Sequence, residues 1–309
     1  MQIKHLRTFT AVASALNVTR AAERLHLAQS SVTEQIQALE ADLGAILFDR
    51  SKRRLRLTDA GRRLLDHATD LLSLADEARS AVAELADQPS GSLTVGGLET
   101  LCSSLLPPVL TTFCTAHPAV AVRMAAAGSG ELRSGVRAGD IDVAFVFGDG
   151  PPEDGVERAT VARERLSIIA PPGHRLAGRN AVARDDLADE PFLVTVTGCV
   201  YRRMFDEAFP VAGVGRPRLA GEFGSIGAIR ALVAAGLGCA LVPECAAAAA
   251  TGLTVLPWVG EADHVPVSML WRRRRVQPPG LRLFLATVRG GIGAIRPDGG
   301  HRRCAERTR

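Results

Sequence analysis

The sequence predicts an α+β chain of two modules joined by a long helix. Three observations indicate this fold class. Apolar residues recur every three or four positions over residues 3–42, which is helical spacing. A heptad pattern follows over residues 64–85, and short apolar strands alternate with helices over residues 92–287. At 309 residues the chain is long enough for two or three domains.

Composition and charge narrow the class of protein. Hydrophobic residues make up 47% of the chain and charged residues 23%, as in soluble globular proteins. No apolar run reaches the roughly 18 residues that span a bilayer, and the N-terminus lacks the features of a signal peptide. We therefore expect a cytoplasmic protein with no membrane partner. The first 60 residues hold nine basic and six acidic residues, which favours a polyanion-binding surface there.

The cysteines give no sign of a metal site. None forms a C-x-x-C pair, and none is combined with histidine at zinc-finger spacing. In a reducing compartment they are expected to be free thiols or small buried residues. The sequence therefore predicts no metal and no cofactor. The six residues are Cys102, Cys114, Cys199, Cys239, Cys245 and Cys304.

The first module is predicted to contain three helices, at residues 3–16, 18–25 and 29–42. Asn17 is a good N-cap for the second helix, and Gly44 is a typical stop for the third. Two short helices joined by a three-residue turn form the helix-turn-helix pattern. A three-helix bundle with a polar outer face is the alternative.

In a helix-turn-helix the second helix of the pair enters the major groove of DNA. The first turn of the helix at 29–42 carries short polar side chains that can donate and accept hydrogen bonds, as reading of base edges requires. A basic hairpin tip follows, suited to phosphates or the minor groove. The candidate DNA-binding residues are Thr19, Arg20, Gln29, Ser30, Ser31, Thr33, Gln35, Lys52, Arg53 and Arg54.

The segment LRTFTAVASALNVTRAAERLHLAQSSVTEQIQALEADLGAILFDRSKRRLRLTDAG resembles the DNA-binding domain of LysR-type transcriptional regulators along its whole length. The resemblance implies a winged helix-turn-helix and a regulator of transcription, with double-stranded DNA as its partner. It also makes RNA polymerase a candidate partner.

Two positions depart from the family pattern. Ala28 stands where the family often has an N-capping serine, so we expect Ser31 and Glu34 to form a capping box instead. Glu34 also stands where the family often has a basic residue. Its carboxylate is expected either to contact a cytosine amino group or to turn inward.

The helix after this module is predicted to run from Asp59 to about Gln88, with Thr58 as its N-cap. Its apolar residues are spaced alternately four and three apart, the pattern of a coiled-coil seam. The alternative is a helix packed on its own domain. The family resemblance implies an antiparallel pair of linker helices in a homodimer, and usually a homotetramer. The predicted seam consists of Leu64, Ala68, Leu71, Ala75, Ala78, Val82 and Leu85.

The last two thirds of the chain are predicted to be an α/β domain of two lobes. Its predicted elements include helices over residues 101–115 and 129–138 and a strand over residues 166–170. The segments LPPVLTTFCTAHPAVAV, ELRSGVRAGDIDVAFVFG and LVAAGLGCALVPE resemble the effector domain of the same family, which has the periplasmic-binding-protein architecture. The predicted divisions are a DNA-binding domain at 1–58, a linker helix at 59–90, an effector domain at 91–289 and a disordered basic tail at 290–309. Within the effector domain, lobe 1 takes 91–163 and 267–289, and lobe 2 takes 164–266.

Ligands of such folds bind between the lobes, beyond the carboxyl ends of strands. Four helices are expected to begin there, and helix N-termini favour anions. We therefore predict a small-molecule effector that is anionic or otherwise polar, although each hydroxyl could instead be a simple N-cap. The candidate effector residues, including those implied by the resemblance, are Thr100, Ser129, Phe147, Thr197, Cys199 and Ser225.

The sequence leaves two alternative functions open. A redox-responsive regulator that uses Cys199 is one alternative, and a solute-binding protein without a DNA function is another. An enzyme is disfavoured because the sequence has no G-x-S-x-G, no H-E-x-x-H and no phosphate-binding loop.

Overall fold

The computed structural model describes residues 1–49, 55–83, 91–210, 215–248, 252–260, 262–274 and 276–291. Within these ranges, none of the helices combines the length and the hydropathy that crossing a membrane requires. The predicted basic tail falls almost wholly outside the described residues.

The first module has three helices and a short hairpin around one core. The rings of Phe9 and Phe48 lie 5.5 Å apart between centroids, and Val32, Ile36 and Leu39 are buried beside them. This core therefore fixes the third helix against the first and against the hairpin. The elements are α1 (Ile3–Ala15), α2 (Val18–Leu25), α3 (Gln29–Leu43), β1 (Phe48–Asp49) and β2 (Arg56–Leu57).

The helix ends test the predicted caps. The Asn17 side chain accepts a hydrogen bond from the Arg20 amide, and Gly44 ends α3 with a φ of 62°, so both predictions are confirmed. The predicted capping box at Ser31 is wrong. Helix α3 already begins at Gln29, after Ala28, whose methyl side chain makes no cap. Ser31 therefore has helical neighbours on both sides and cannot be an N-cap residue.

The linker helix α4 (Asp59–Ala83) begins as predicted, because the Thr58 hydroxyl accepts from the Gly61 amide at 3.0 Å. Its predicted end near Gln88 lies outside the described residues. Arg272, near the end of the chain, donates to the Thr69 carbonyl at 3.0 Å. The linker helix is therefore tied to the second module as well as to the first.

The second module contains a sheet with the order β10–β6–β11–β5–β3–β4, in which β9 also pairs with β6. Strands β4, β3 and β5 are parallel, and the helices that connect them pack on the sheet, as in other α/β folds. The strands are β3 (Gly91–Gly97), β4 (Val120–Ala126), β5 (Val143–Phe147), β6 (Val156–Ala170), β7 (Pro191–Thr195), β8 (Arg218–Phe223), β9 (Ala240–Pro243), β10 (Thr254–Pro257) and β11 (His264–Arg272).

Strand β6 crosses both lobes. Its residues 156–165 pair with β11 in lobe 1, and its residues 166–170 pair with β9 and β10 in lobe 2. Strands β7 and β8 form a separate parallel pair in lobe 2. The helices are α5 (Glu99–Ser104), α6 (Leu106–Ala116), α7 (Ser129–Ala138), α8 (Val200–Ala208), α9 (Ile226–Ala234), α10 (Glu244–Ala248) and α11 (Pro279–Gly291), with a short 3₁₀ helix at Asp185–Leu187.

Three details differ from the prediction. The helix expected over residues 101–115 is two helices, because Pro107 and Pro108 lack amide donors and belong in a first turn. Strand β6 is one long strand, where only residues 166–170 were expected. Strands β8 and β10 were not predicted, since β8 is mostly exposed and neither has a long apolar run.

Candidate DNA-binding surface and effector cleft

The start of α3 presents polar side chains to solvent. Gln29 and Ser30 are exposed in its first turn, and Thr19 and Arg20 are exposed at the start of α2. The Thr19 hydroxyl donates to Gln29 Oε1 at 3.5 Å, which brings the two helix starts together. These four exposed residues are here called the recognition surface, and their side chains can donate or accept hydrogen bonds as base reading requires.

Three other candidate DNA-binding residues on α3 are less accessible for contact with DNA. Ser31 and Thr33 are half-buried, and the Thr33 hydroxyl donates to the Gln29 carbonyl at 3.0 Å. Gln35 Oε1 accepts from the buried Thr8 hydroxyl at 2.7 Å, so its side chain fastens α3 to α1. Glu34 is exposed, so the alternative in which its carboxylate turns inward is wrong.

The hairpin that follows is described only at its base. Phe48 pairs with Leu57 and Asp49 with Arg56 in an antiparallel register. The predicted basic tip lies outside the described residues, and its candidates are Lys52, Arg53 and Arg54.

The predicted coiled-coil seam has two parts along the linker helix, one buried and one exposed. Leu64 is half-buried and Ala68 fully buried, and both pack on the core of the first module. Beyond them the apolar face is open to solvent, with Leu74 61% and Val82 71% exposed. Ala75 is half-buried, and Leu85 lies outside the described residues. The exposed residues, here called the linker face, are Leu71, Leu74, Ala78 and Val82.

The candidate effector residues follow the carboxyl ends of strands. Helices α5, α7, α8 and α9 come after β3, β4, β7 and β8 in turn. Thr100 on α5 belongs to lobe 1, and Tyr201 on α8 belongs to lobe 2. Their hydroxyl oxygens lie 2.5 Å apart, and both residues are buried. The Phe147 ring meets the Tyr201 ring edge-on, with centroids 6.0 Å apart.

Sequence reasoning missed Tyr201. It is the only tyrosine of the chain, and that rarity is the one signal that could have drawn attention to it. Burial raises the pKa of its phenol above the usual range, and this outweighs the hydrogen bond from Thr100, which lowers it. Tyr201 is therefore a neutral phenol that joins the two lobes by a hydrogen bond.

The remaining candidates differ in their hydrogen bonds. Ser225 accepts from the amides of Gly227 and Ala228, so its side chain is the N-cap of α9. Thr197 is exposed, and Cys199 stands at the N-cap of α8 without a side-chain cap bond. The hydroxyl oxygen of Ser129, in the first turn of α7, is buried and has no hydrogen-bond partner among the described residues.

Two further side chains belong to the same region. Thr195, the last residue of β7, has a buried hydroxyl that also lacks a partner within the described ranges. The Arg203 guanidinium of lobe 2 approaches Gly148 of lobe 1 so closely that a Cβ added to Gly148 would lie 2.9 Å from Nη2. Arg203 therefore brings a positive charge to the end of β5, beside Phe147.

Comparisons with known proteins agree with this architecture. The model of the bacterial regulatory helix-turn-helix protein, LysR family, matches residues 3–62, and that of the LysR substrate-binding domain matches residues 86–292. The HTH-type transcriptional regulator YwqM of Bacillus subtilis is 31% identical over 293 residues, which cover 94% of this chain and 99% of that protein. YofA of Bacillus velezensis is 34% identical, with 80% and 82% covered.

Solved structures similar to this chain are also LysR family regulators. The chain is similar to CbnR, a LysR family transcriptional regulator, with 31% identity, a TM-score of 0.62, and 94% and 99% of the chains covered. Full-length CbnR in complex with its target DNA matches at 32% identity with the same TM-score. A full-length OxyR variant from Pseudomonas aeruginosa has 24% identity and a TM-score of 0.76 over 94% and 95% of the chains, and thus shares the fold.

The relatives are regulators of transcription and not enzymes, as the missing catalytic motifs predicted. The chain belongs to the LysR family and is a DNA-binding transcriptional regulator with an effector-binding domain.

Proposed function

We propose that the recognition surface reads base edges in the major groove of an operator. The observation that carries this proposal is the exposed polar start of α3, held against the start of α2 by Thr19 and Gln29. A glutamine that enters the groove can make a bidentate contact with adenine. The likeness to CbnR, which has been solved with its target DNA, supports DNA binding by this chain.

Replacing Gln29 by alanine should weaken binding to the operator about tenfold, because a good bidentate base contact contributes roughly 1–3 kcal/mol of discrimination. Fluorescence anisotropy with operator and unrelated DNA measures both affinities. The salt dependence should not change, since no phosphate contact is removed.

The matched control is Gln37→Ala, on the exposed side of the same helix two turns further along. It should bind the operator as the unaltered protein does. Equal losses for both variants, or no loss for Gln29→Ala, would contradict the assignment of the recognition surface.

We further propose that two chains pair through their linker faces, and that each contributes one recognition surface to a site with two-fold-related halves. Four small or branched apolar residues on one exposed helix face support this pairing, because burial of apolar surface in a dimer lowers the free energy. A tetramer built from such dimers and a contact with RNA polymerase are further proposals that rest on the family alone.

Val82→Asn should weaken the dimer roughly 100-fold, because an apolar side chain is lost from both copies, each worth about 1.5 kcal/mol or more. Sedimentation velocity over a dilution series measures the change. Arg63→Asn, on an exposed part of the same helix, is the control and should dimerise normally. A dimer unaffected by Val82→Asn would place the interface elsewhere.

The cleft between the lobes is proposed to bind a small anionic effector. Ser129 offers an unpartnered hydroxyl at the start of α7, where helix amides also point, and Arg203 brings a positive charge across from lobe 2. Such a ligand would compete with, or add to, the Thr100–Tyr201 contact between the lobes. A ligand that prefers one arrangement of the lobes shifts the population toward that arrangement.

A thermal-shift screen of small carboxylates against their neutral amides and amines tests the charge of the effector. At least one carboxylate should raise the melting temperature, while its amide and amine should not. Ser129→Val should abolish that rise, whereas Ser225→Ala, which removes only an N-cap, should lower the baseline stability and keep the rise. Stabilisation by cationic or wholly apolar compounds alone would contradict the proposal.

A redox role for Cys199 stays a prediction. The five cysteines that the structure describes, Cys199 among them, are free thiols.

A further inference from the structure

Three side chains that can bind metal ions meet in lobe 2. His174 follows β6, Glu190 precedes β7 and Cys239 precedes β9, so they come from separate parts of the chain. His174 Nε2 lies 3.1 Å from Glu190 Oε2 and 3.6 Å from Cys239 Sγ. All three candidate ligand atoms lie within 4.8 Å of one another.

These separations suit one tetrahedral ion. With Zn–N and Zn–O bonds of about 2.0–2.1 Å and a Zn–S bond of about 2.3 Å, tetrahedral angles put nitrogen and oxygen about 3.3 Å apart and nitrogen and sulfur about 3.5 Å apart. The His174–Glu190 and His174–Cys239 distances are close to these edges. A histidine, a carboxylate and a thiolate form a donor set typical of zinc, and three protein ligands leave a fourth position open.

The surroundings hold the three groups in place. The Cys239 amide donates to the Pro191 carbonyl at 2.7 Å, and its own carbonyl accepts from the Leu193 amide at 2.8 Å. Arg175 Nε donates to Glu190 Oε1 at 2.6 Å, which leaves Oε2 for the cluster. Cys239 is buried, whereas the side chains of His174 and Glu190 are 10% and 14% exposed, so an ion could enter from their side.

We propose that His174 Nε2, Glu190 Oε2 and Cys239 Sγ bind one thiophilic divalent cation of the zinc class. Hard cations such as Mg²⁺ are excluded by the sulfur ligand. Binding releases the thiol proton to solvent and forms a metal–thiolate bond. The spacing of the cysteines could not reveal this site, because its ligands lie far apart in sequence and only the fold of lobe 2 brings them together.

Two energetic costs oppose binding of the ion. Burial, followed by the charge of Glu190, raises the pKa of Cys239 to about 12, so the cation must displace a proton that is firmly held. The Leu176 amide donates to His174 Nδ1 at 3.3 Å, and this long bond must give way when a metal on Nε2 moves the ring proton to Nδ1. Without an ion, the cluster is a contact between His174 Nε2 and Glu190 Oε2 with the Cys239 thiol beside it.

The site lies away from the effector cleft. Glu190 and Cys239 stand at the beginnings of neighbouring strands β7 and β9, whereas Thr197 and Cys199 follow the far end of β7. A cation there would fasten three loops of lobe 2 without occupying the predicted effector positions.

Co²⁺ titration of the full chain tests this site, since a cobalt–thiolate bond gives a near-ultraviolet charge-transfer band. The host protein carries Cys114→Ser and Cys304→Ser, which remove an exposed thiol and one that follows His301 by three residues in the sequence. We expect one Co²⁺ per chain, a charge-transfer band, and loss of that band when Zn²⁺ is added.

Adding Cys239→Ser should abolish the band. Adding Glu190→Gln should keep it but weaken Co²⁺ binding by more than the roughly 10–100-fold that loss of an outer partner costs. A band that survives Cys239→Ser in a folded protein, or a host that binds no Co²⁺, would overturn the proposal. If Cys239→Ser does not fold, unchanged affinity in Glu190→Gln would overturn it as well.

Discussion

The arrangement of the whole second module depends on the backbone pairing of one strand. Strand β6 pairs with β11 as far as Arg165 and with β9 and β10 from Leu166 onward. Because ladder hydrogen bonds fix the register, neither lobe can slide along this strand without flipping its side chains to the opposite face. The lobes can therefore change their relation chiefly by twisting near residues 165 and 166.

The Thr100–Tyr201 hydrogen bond is a second point of attachment between the lobes. It joins α5 of lobe 1 to α8 of lobe 2, whereas β6 joins the lobes through their sheets. A neutral hydrogen bond contributes only about 1 kcal/mol net, so a bound ligand can displace it at modest cost. The structure thus combines a strong backbone connection between the lobes with a weak side-chain contact beside the proposed effector site.

Lobe 1 also contacts the DNA-binding module. Arg24, at the end of α2, pairs with Asp140 at 2.5 Å, and Arg272 donates to the Thr69 carbonyl of the linker helix. The Arg24–Asp140 pair is exposed and contributes little to stability, so it can be exchanged easily. These two contacts join lobe 1 to α2 and to the linker helix.

Local features were predictable from the sequence because their causes are local. Asn17 and Gly44 gave the helix ends of the first module, and helix α7 has the predicted limits, Ser129–Ala138. Features that depend on packing between residues far apart in the sequence were not predictable in this way. Ala68 fits a heptad seam equally well whether it faces a partner or its own domain, and only the tertiary core decides that it packs inward.

The proposed effector region shows the same contrast between local features and tertiary contacts. The strand–helix alternation located the helix starts, but the pattern could not distinguish Ser225, which is a cap, from Ser129, whose hydroxyl has no described partner. Tyr201 and the His174–Glu190–Cys239 cluster depend on contacts between segments far apart in the chain. No periodicity encodes such contacts.

Selection of binding sites by the full chain from a randomised DNA library at physiological salt tests sequence-specific reading directly. We predict enrichment of one sequence with two related halves, spaced by about one helical turn or a multiple of it, and binding that survives excess unrelated DNA. Recovery of no common sequence, with affinity that depends only on salt and DNA length, would contradict sequence-specific reading by the start of α3.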